Sequence, residues 1–385
     1  MSTFKLKALI YRNHLLPSSE TFILNQTSHL RLYDYHYVGF RRVDGLELPA
    51  DKVTTLHDFD IFSKMNEFSY KVSGVSPRFV RELRLLNPAL IHAHFGPDAV
   101  RALPIARQLN IPLVATFHGY GASVSPSVAW RSSMNQFIYL LRRSKLKENI
   151  THCIAVSNFI KSLLLQQGFP EHKVSTHYIG VDTQKFTPDV SQSREQVVLF
   201  VGRLVDVKGC SYLIRSMVEA QKIIPEVKLI VIGDGSLRKE LEELAEKRLK
   251  NYKFLGLQPP EVVRNWMNKS RVFCVPSIRA QSGHTEAFGI VFAEAQSMGL
   301  PVVSFDTGGI SEAVEHGETG FLAEEKNVYT LTKYIIQLLE NTGLWQKFSE
   351  QGMFRARSLF DIRKQTQSLE HLYSQVLHQS SKLSN

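Results

Sequence analysis

Residues 197–209 read VVLFVGRLVDVKG. Five consecutive apolar residues, Val197 to Val201, stop at Gly202, and a basic pair, Arg203 and Lys208, follows before Gly209. A short run of Val, Leu and Phe bounded by glycine predicts a strand buried on both faces, as in a parallel sheet covered by helices. The stretch before it, Thr183 to Glu195, is polar and contains Pro188, so this strand opens a fresh sheet. A domain boundary is therefore placed here, giving domains 1–188 and 189–385.

Toward the C-terminus the runs VKLIVIG, YKFLG, RVFCVP and PVVSF repeat the same signature. Toward the N-terminus KLKALIY, PALIHAHF, PLVATFH, ITHCIAVS and VSTHYIG do so as well, with helical spacing over Asp98 to Leu109 and Ser157 to Gln167 between them. Such alternation predicts an α/β fold of two doubly wound, Rossmann-like domains facing across a cleft, with ligands at the carboxyl ends of the strands. Val328 to Leu377 reads as two or three helices, the last of which, about 361–380, is expected to pack back on the N-terminal domain. A length of 385 residues fits two domains, and 43% hydrophobic with 21% charged residues excludes a disordered chain.

Cys153, Cys210 and Cys274 stand far apart in apolar surroundings, which excludes a disulfide framework or a zinc knuckle. The first residues, MSTFKLKALIYRNHLL, mix Lys5, Lys7 and Arg12 into a short apolar stretch and lack the features of a signal peptide. With no apolar run of ~20 residues, a cytoplasmic location is expected. The net charge is +10, of which residues 1–190 carry +8, so the N-terminal half supplies the field that attracts anions.

The richest constellation is Glu286-Ala-Phe-Gly-Ile-Val-Phe-Ala-Glu294. On one continuous helix its two carboxylates would lie about 80° apart beyond two full turns, with ~12 Å of rise. That separation is too large for a shared proton, and it suits a long ligand with hydroxyls at both ends and an anion between. Free N–H groups at Phe288, Gly289 and Ile290 would point at that anion. Arg203 and Lys208 beside Gly202 suit a diphosphate, Arg as a fork and Lys as a point charge. Gly233-Asp-Gly235 after VKLIVI is a strand-to-helix turn able to approach phosphate, and it lacks the third glycine of a dinucleotide fingerprint. His92 and His94 have strand-face spacing with no Cys or carboxylate nearby to complete a metal site, so no metal is expected.

In this order the pieces HAHFG, TFHGYG, FVGRLVDVKG, VIGDGS, FLG, VPS, EAFGIVFAEAQSMGLPVVSFDTGGISEAVEHGETGFL and LFDIRK resemble the retaining glycosyltransferases of family 4, which have the GT-B fold. The resemblance spans nearly the whole chain. It implies a UDP- or GDP-sugar donor as co-substrate, no cofactor or metal, and a glycan acceptor, lipid-linked in the exopolysaccharide and colanic-acid-type members. By the same resemblance Arg203 and Lys208 hold the diphosphate, Glu286 accepts from sugar hydroxyls, and Glu294 accepts from the ribose. The backbone of Phe288, Gly289 and Ile290 completes the phosphate cradle together with Gly202, Gly233 and Gly235, Leu255 lies beside the base, His118 lies over the transferred sugar, and Gly119 beside it lies on the acceptor side.

Two places depart from the family pattern. Residues 11–23, YRNHLLPSSETFI, replace its glycine-rich loop and resemble the Ser-Glu-Thr-Phe-Ile segment of exopolysaccharide-type members. There Ser18 or Ser19 is expected to cap a helix, with Glu20 near the acceptor. Gly121 replaces the acid that often follows His-Gly by two residues. Residues 128–147, VAWRSSMNQFIYLLRRSKLK, join an apolar helical face to a basic cluster, which suits peripheral docking on the anionic inner face of a membrane. A sugar-nucleotide epimerase or hydrolase of the same architecture is the alternative activity. Nucleic acid is excluded as a partner, because no aromatic-rich basic strand motif occurs.

Overall fold

The structure, a computed structural model, describes residues 5–59, 76–119 and 134–383. Two compact units are present: Met1–Gly180 with Ile362–Asn385, and Val181–Asp361. Residues 181–188, assigned from sequence to the first domain, belong to the second unit, because the Val181 amide donates to the Phe360 carbonyl (2.7 Å) and the Thr183 hydroxyl donates to Asp361 (2.5 Å).

The first unit is built on a seven-stranded parallel sheet. Its order is Val53–Thr55, Tyr33–Gly39, Leu6–Tyr11, Pro88–His94, Leu113–Phe117, His152–Ala155 and Val174–Thr176. Strands added outward on both sides of Leu6–Tyr11 make this a doubly wound sheet, whose order reverses between Leu6–Tyr11 and Pro88–His94. Ala8, Ile10, Tyr37, Leu90, Val114 and Ile154 fill the core. The helix Ile362–Leu383 adds Leu369, Tyr373 and Val376 to that core. It is fixed further by Glu370, whose carboxylate accepts from the amides of Arg31, Leu32 and Tyr33 at 2.6–3.2 Å.

The second unit has a six-stranded parallel sheet, ordered Tyr252–Phe254, Lys228–Ile232, Val197–Val201, Val272–Cys274, Val302–Phe305 and Gly320–Ala323. Counted within the sheet this is order 3-2-1-4-5-6, and the reversal lies between Val197–Val201 and Val272–Cys274. The loops that leave those two strands are the ones that hold Arg203, Lys208 and Glu286.

The basic segment read as membrane-facing is only partly covered, since residues 128–133 lie outside the described residues. The rest forms the helix Met134–Asn149. Tyr139 and Leu146 are buried, and Leu141 is 67% exposed. Arg143 and Lys147 hydrogen-bond the neutral side-chain and backbone oxygens of Gln167 (3.0 Å each). Among the described residues no helix is long and apolar enough to cross a membrane.

Candidate active site

The loop beyond the strand Val197–Val201 passes close to the backbone of the neighbouring Gly233–Gly235 turn, and the glycines this needs are on that turn. A Cβ on Gly233, at φ +138°, would lie 1.9 Å from the Gly202 carbonyl oxygen, and one on Gly235 would lie 2.4 Å from that of Leu204. The Gly202 amide donates to Ile232 and the Gly233 amide to Gly256, so three strand ends are joined edge to edge. Lys208 closes a short 3-10 turn, Asp206–Lys208, and Gly209 at φ +63° turns the chain into the helix Cys210–Ile223. The neighbouring loop is tied in by the Ile278 amide, which donates to the Val207 carbonyl (2.9 Å).

This tie brings the Lys208 ammonium onto the Glu286 carboxylate in a direct ion pair, with both side chains only 15% exposed. The Ser277 hydroxyl lies 3.5 Å from the same carboxylate oxygen. Burial pushes the Glu286 carboxyl up, but Lys208, through charge and hydrogen bond, and then His284 and Arg203 more than offset it, holding the group below the ordinary range. His284 is itself held low by burial, with Lys208 and Arg203 lowering it further against the pull of Glu286. Arg203 is exposed. Lys208, Glu286, His284 and Arg203 thus form one electrostatic cluster at the sheet's reversal point.

Glu286 and Glu294 do not share a helix, contrary to the reading from their spacing. Gly289, at φ +78°, starts the helix Ile290–Ser297, so Glu286 lies in the preceding loop and Glu294 alone is helical. The loop is held in place by the Gly309 amide, which donates to the Glu286 carbonyl (3.0 Å), and a Cβ on Gly308 would lie 2.1 Å from that oxygen. No side chain caps the helix at Gly289. The Phe288 ring is buried edge-on against Phe360 (5.1 Å). Glu294 has no side-chain partner among the described residues, and burial pushes its carboxyl up to about 7. Leu255 is half-buried, and its carbonyl accepts from the Gln258 side chain (2.6 Å).

In the first unit the corresponding reversal point gathers a second charged cluster. Arg12, just past Leu6–Tyr11, forks onto Glu20 (2.5 and 2.8 Å), pairs directly with Asp98, and lies over the Phe95 ring at 4.4 Å. The second carboxylate oxygen of Asp98 is 3.6 Å from Arg101. Glu20 therefore lies at the expected end of the sheet with its carboxylate clamped by Arg12. Pro17 and Glu20 occupy the cap positions of the turn Ser18–Glu20 and the helix Thr21–Ser28 without a side-chain cap hydrogen bond of their own, and the Glu20 carboxylate goes to Arg12. Ser19 is exposed.

His118 follows the strand Leu113–Phe117, between the rings of Phe22 (4.7 Å) and Phe95 (4.8 Å), and Gly119 beside it adopts φ +99°. Its Nε2 is 3.0 Å from Nδ1 of His94. Arg12, Asp98, His94 and His284 were not singled out as site residues from sequence. The available signal was position alone, since Arg12, His94 and Asp98 all lie at carboxyl ends of strands flanking a reversal point.

Comparison with known proteins agrees with this layout. A family model described as "Glycosyltransferase Family 4" matches residues 20–185, and one described as "Glycosyl transferases group 1" matches residues 182–353. The amylovoran biosynthesis glycosyltransferase AmsK of Erwinia amylovora is 24% identical over 83% of this chain and 88% of that protein. The putative colanic acid biosynthesis glycosyltransferase WcaL of Escherichia coli K12 is 26% identical over 63% of this chain and 59% of its own length. Among solved structures, Anabaena Alr3699/HepE in complex with UDP and glucose superposes with a TM-score of 0.75 at 21% identity, covering 96% of this chain and all of that one.

Proposed function

Since this chain is a glycosyltransferase of group 1 and family 4 with the GT-B fold, we propose that it moves a sugar, with retention of anomeric configuration, from a UDP- or GDP-sugar to a hydroxyl of a lipid-linked glycan in exopolysaccharide synthesis. The observation that carries this reading is the Lys208–Glu286 pair at the reversal point of the second sheet, with Arg203 and His284 in its field. A nucleoside diphosphate leaving group gains negative charge as the glycosidic bond breaks. Fixed cations in a water-poor site stabilise that charge without reorganisation.

Arg203 and Lys208 supply the positive charge and take the place of a metal in the proposed mechanism. Glu286, kept ionised by Lys208, accepts from sugar hydroxyls and fixes the ring, and Glu294 accepts from the ribose. The backbone from Phe288 to Ile290 donates to the diphosphate. His118 contacts the transferred sugar, and Glu20 and Ser19 lie on the acceptor side. The leaving phosphate accepts the acceptor's proton, so no separate carboxylate nucleophile takes part. The names of AmsK and WcaL support an extracellular polysaccharide as product, and the basic helix Met134–Asn149 supports docking on an anionic membrane surface, where such acceptors reside.

The test is a panel of UDP- and GDP-hexoses incubated with lipid-linked acceptors and read by mass spectrometry, with the new linkage assigned by NMR. An acceptor-linked product of retained configuration is expected. Free or epimerised sugar with no acceptor-linked product would shift the assignment to a hydrolase or epimerase.

A further inference from the structure

The first unit contains a row of three imidazoles that the mechanism uses only in part. His92 and His94 lie on one face of the strand Pro88–His94 with their rings stacked 4.5 Å apart, and His118 lies beyond His94, edge to edge with it, at a centroid distance of 5.3 Å. His92 is fully engaged: Nδ1 is 2.6 Å from the Tyr373 hydroxyl and Nε2 is 2.7 Å from that of Thr116. His94 and His118 share a single hydrogen bond, Nδ1 to Nε2 at 3.0 Å. Their remaining nitrogens, His94 Nε2 and His118 Nδ1, are buried without a partner among the described residues. Burial, and then the charges of neighbours including Arg12, hold both rings neutral by keeping them well below the ordinary histidine range.

A neutral imidazole carries one proton, so the shared bond runs in one of two directions. If His94 donates from Nδ1, His118 carries its proton on Nδ1 and offers a donor there, while His94 Nε2 is a bare lone pair. If His118 donates from Nε2, the unpaired N–H falls on His94 Nε2. An unpaired buried donor is costly wherever it sits, and the two sites differ. Both unpaired nitrogens are themselves buried, and the two rings differ in surroundings: His94 is 1% exposed inside the sheet, whereas His118 lies past the strand's end, is partly exposed and is the ring assigned to the sugar. The first direction places the unpaired N–H on the ring that a bound sugar would touch.

We propose that His94 is a positioning residue for sugar recognition: its Nδ1–H donates to His118 Nε2, fixing the ring of His118 and the tautomer that presents Nδ1–H to a hydroxyl oxygen of the transferred sugar. This inference rests on the placement of His118 at the sugar proposed above. Phe22 and Phe95 pack against the His118 ring at tilts of 48° and 44°, and His94 sets its proton.

The test uses the full chain with 15N-labelled histidine. Long-range proton–nitrogen spectra of the unaltered protein should show His118 protonated at Nδ1 and bare at Nε2; the opposite tautomer overturns the proposal without any variant. Transfer rates are then measured with whichever UDP- or GDP-hexose gives product. His94→Leu should lower kcat about tenfold or more, the scale for losing a partner that orients a working group, with inhibition by the free nucleotide unchanged. His94→Asn, which keeps a donor near the Nδ1 position, should retain most of the activity and the His118 tautomer. If His118→Ala impairs transfer while His94→Leu folds and transfers normally, the positioning role is overturned. If His118→Ala itself transfers normally, the placement of His118 at the sugar falls first, and this inference with it.

Discussion

Lys208 and Glu286 are 78 residues apart in sequence and meet as an ion pair that neither could form alone. Removing either side chain leaves the other with an unbalanced charge at the proposed leaving-group site. Lys208→Ala and Glu286→Ala are each expected to cut turnover by about 10²-fold, the scale for one well-aimed charge stabiliser. The double variant should lose less than the product of the two, because partners in one pair are not additive; near-normal rates in both single variants would contradict the assignment. Glu294 gives a pH signature of its own. Its folded-state pKa of about 7 lies above the ordinary carboxyl value because of burial, so the carboxylate proposed to accept from the ribose is fully formed only above pH 7. Donor affinity should therefore rise as pH rises through about 7, and Glu294→Gln should flatten that rise in a titration monitored by calorimetry. Stability runs the other way. A carboxyl with a raised folded pKa binds more protons folded than unfolded between the ordinary value and about 7, so stability falls with rising pH across that window. Glu294→Gln should accordingly raise the melting temperature at pH 8 while weakening donor binding. The four charged residues proposed for the donor could be picked out in sequence because Arg203 and Lys208 follow a glycine-bounded apolar strand and Glu286 and Glu294 end the Glu-x7-Glu run. The pairing of Lys208 with Glu286, and of His94 with His118, could not, because each depends on which strands lie side by side.

Strands rich in Val, Ile, Leu and Phe were legible because burial on both faces leaves an uninterrupted apolar run. Tyr33–Gly39 reads YDYHYVG and escaped notice because its polar residues are satisfied sideways. Asp34 pairs with Lys52 (2.7 Å) and the His36 ring meets the Thr54 hydroxyl (2.8 Å), contacts that exist only once the edge strand Val53–Thr55 is in place. Val53–Thr55 and Gly320–Ala323 lack the longer apolar run that marked the legible strands: VTT is mostly polar, and GFLA sits inside a glycine-rich segment. The loops between elements are where glycine became decisive. At Gly209, φ is +63° and a Cβ would lie 1.9 Å from the Pro276 carbonyl oxygen, at the junction of the two loops that bring Lys208 to Glu286. Gly209→Ala is therefore expected to lower the urea midpoint and to weaken donor binding together, since the backbone can move only by shifting Lys208. A cap far from the site provides the contrast. Asn327 accepts from the Thr330 amide (3.0 Å) at the start of the helix Val328–Glu340, so Asn327→Ala should cost about 1 kcal/mol of stability with donor affinity unchanged. Equal loss of donor affinity in both variants would show that Gly209 acts only through global stability.

At the scale of the whole molecule the chain builds one doubly wound unit, then a second, and returns to the first through Ile362–Leu383. The duplication of architecture was legible, because the alternation of strand and helix restarts at Val197. The boundary at Gly180 was less so, because Val181 and Thr183 are anchored by residues nearly 180 positions away. Charge is the other property that belongs to the whole, with +8 of the net +10 in residues 1–190. On the helix Met134–Asn149, Arg143 and Lys147 hydrogen-bond neutral oxygens of Gln167, so those bonds leave their positive charge uncompensated, and Lys145 is exposed beside them. Each such cation near an anionic surface adds up to about 1 kcal/mol of attraction, and Leu141 at 67% exposure adds an apolar contact on the same helix. The protein should sediment with vesicles containing phosphatidylglycerol but not with pure phosphatidylcholine vesicles. It should be released as salt approaches ~1 M, where the screening length falls to about 3 Å. Replacing Arg143, Lys145 and Lys147 together by Gln should weaken vesicle binding while leaving transfer to a soluble acceptor intact, because none of the three belongs to the donor site. Binding that ignores both salt and lipid charge would remove the electrostatic basis for docking and leave the basic excess of the first unit to be explained by the acceptor itself.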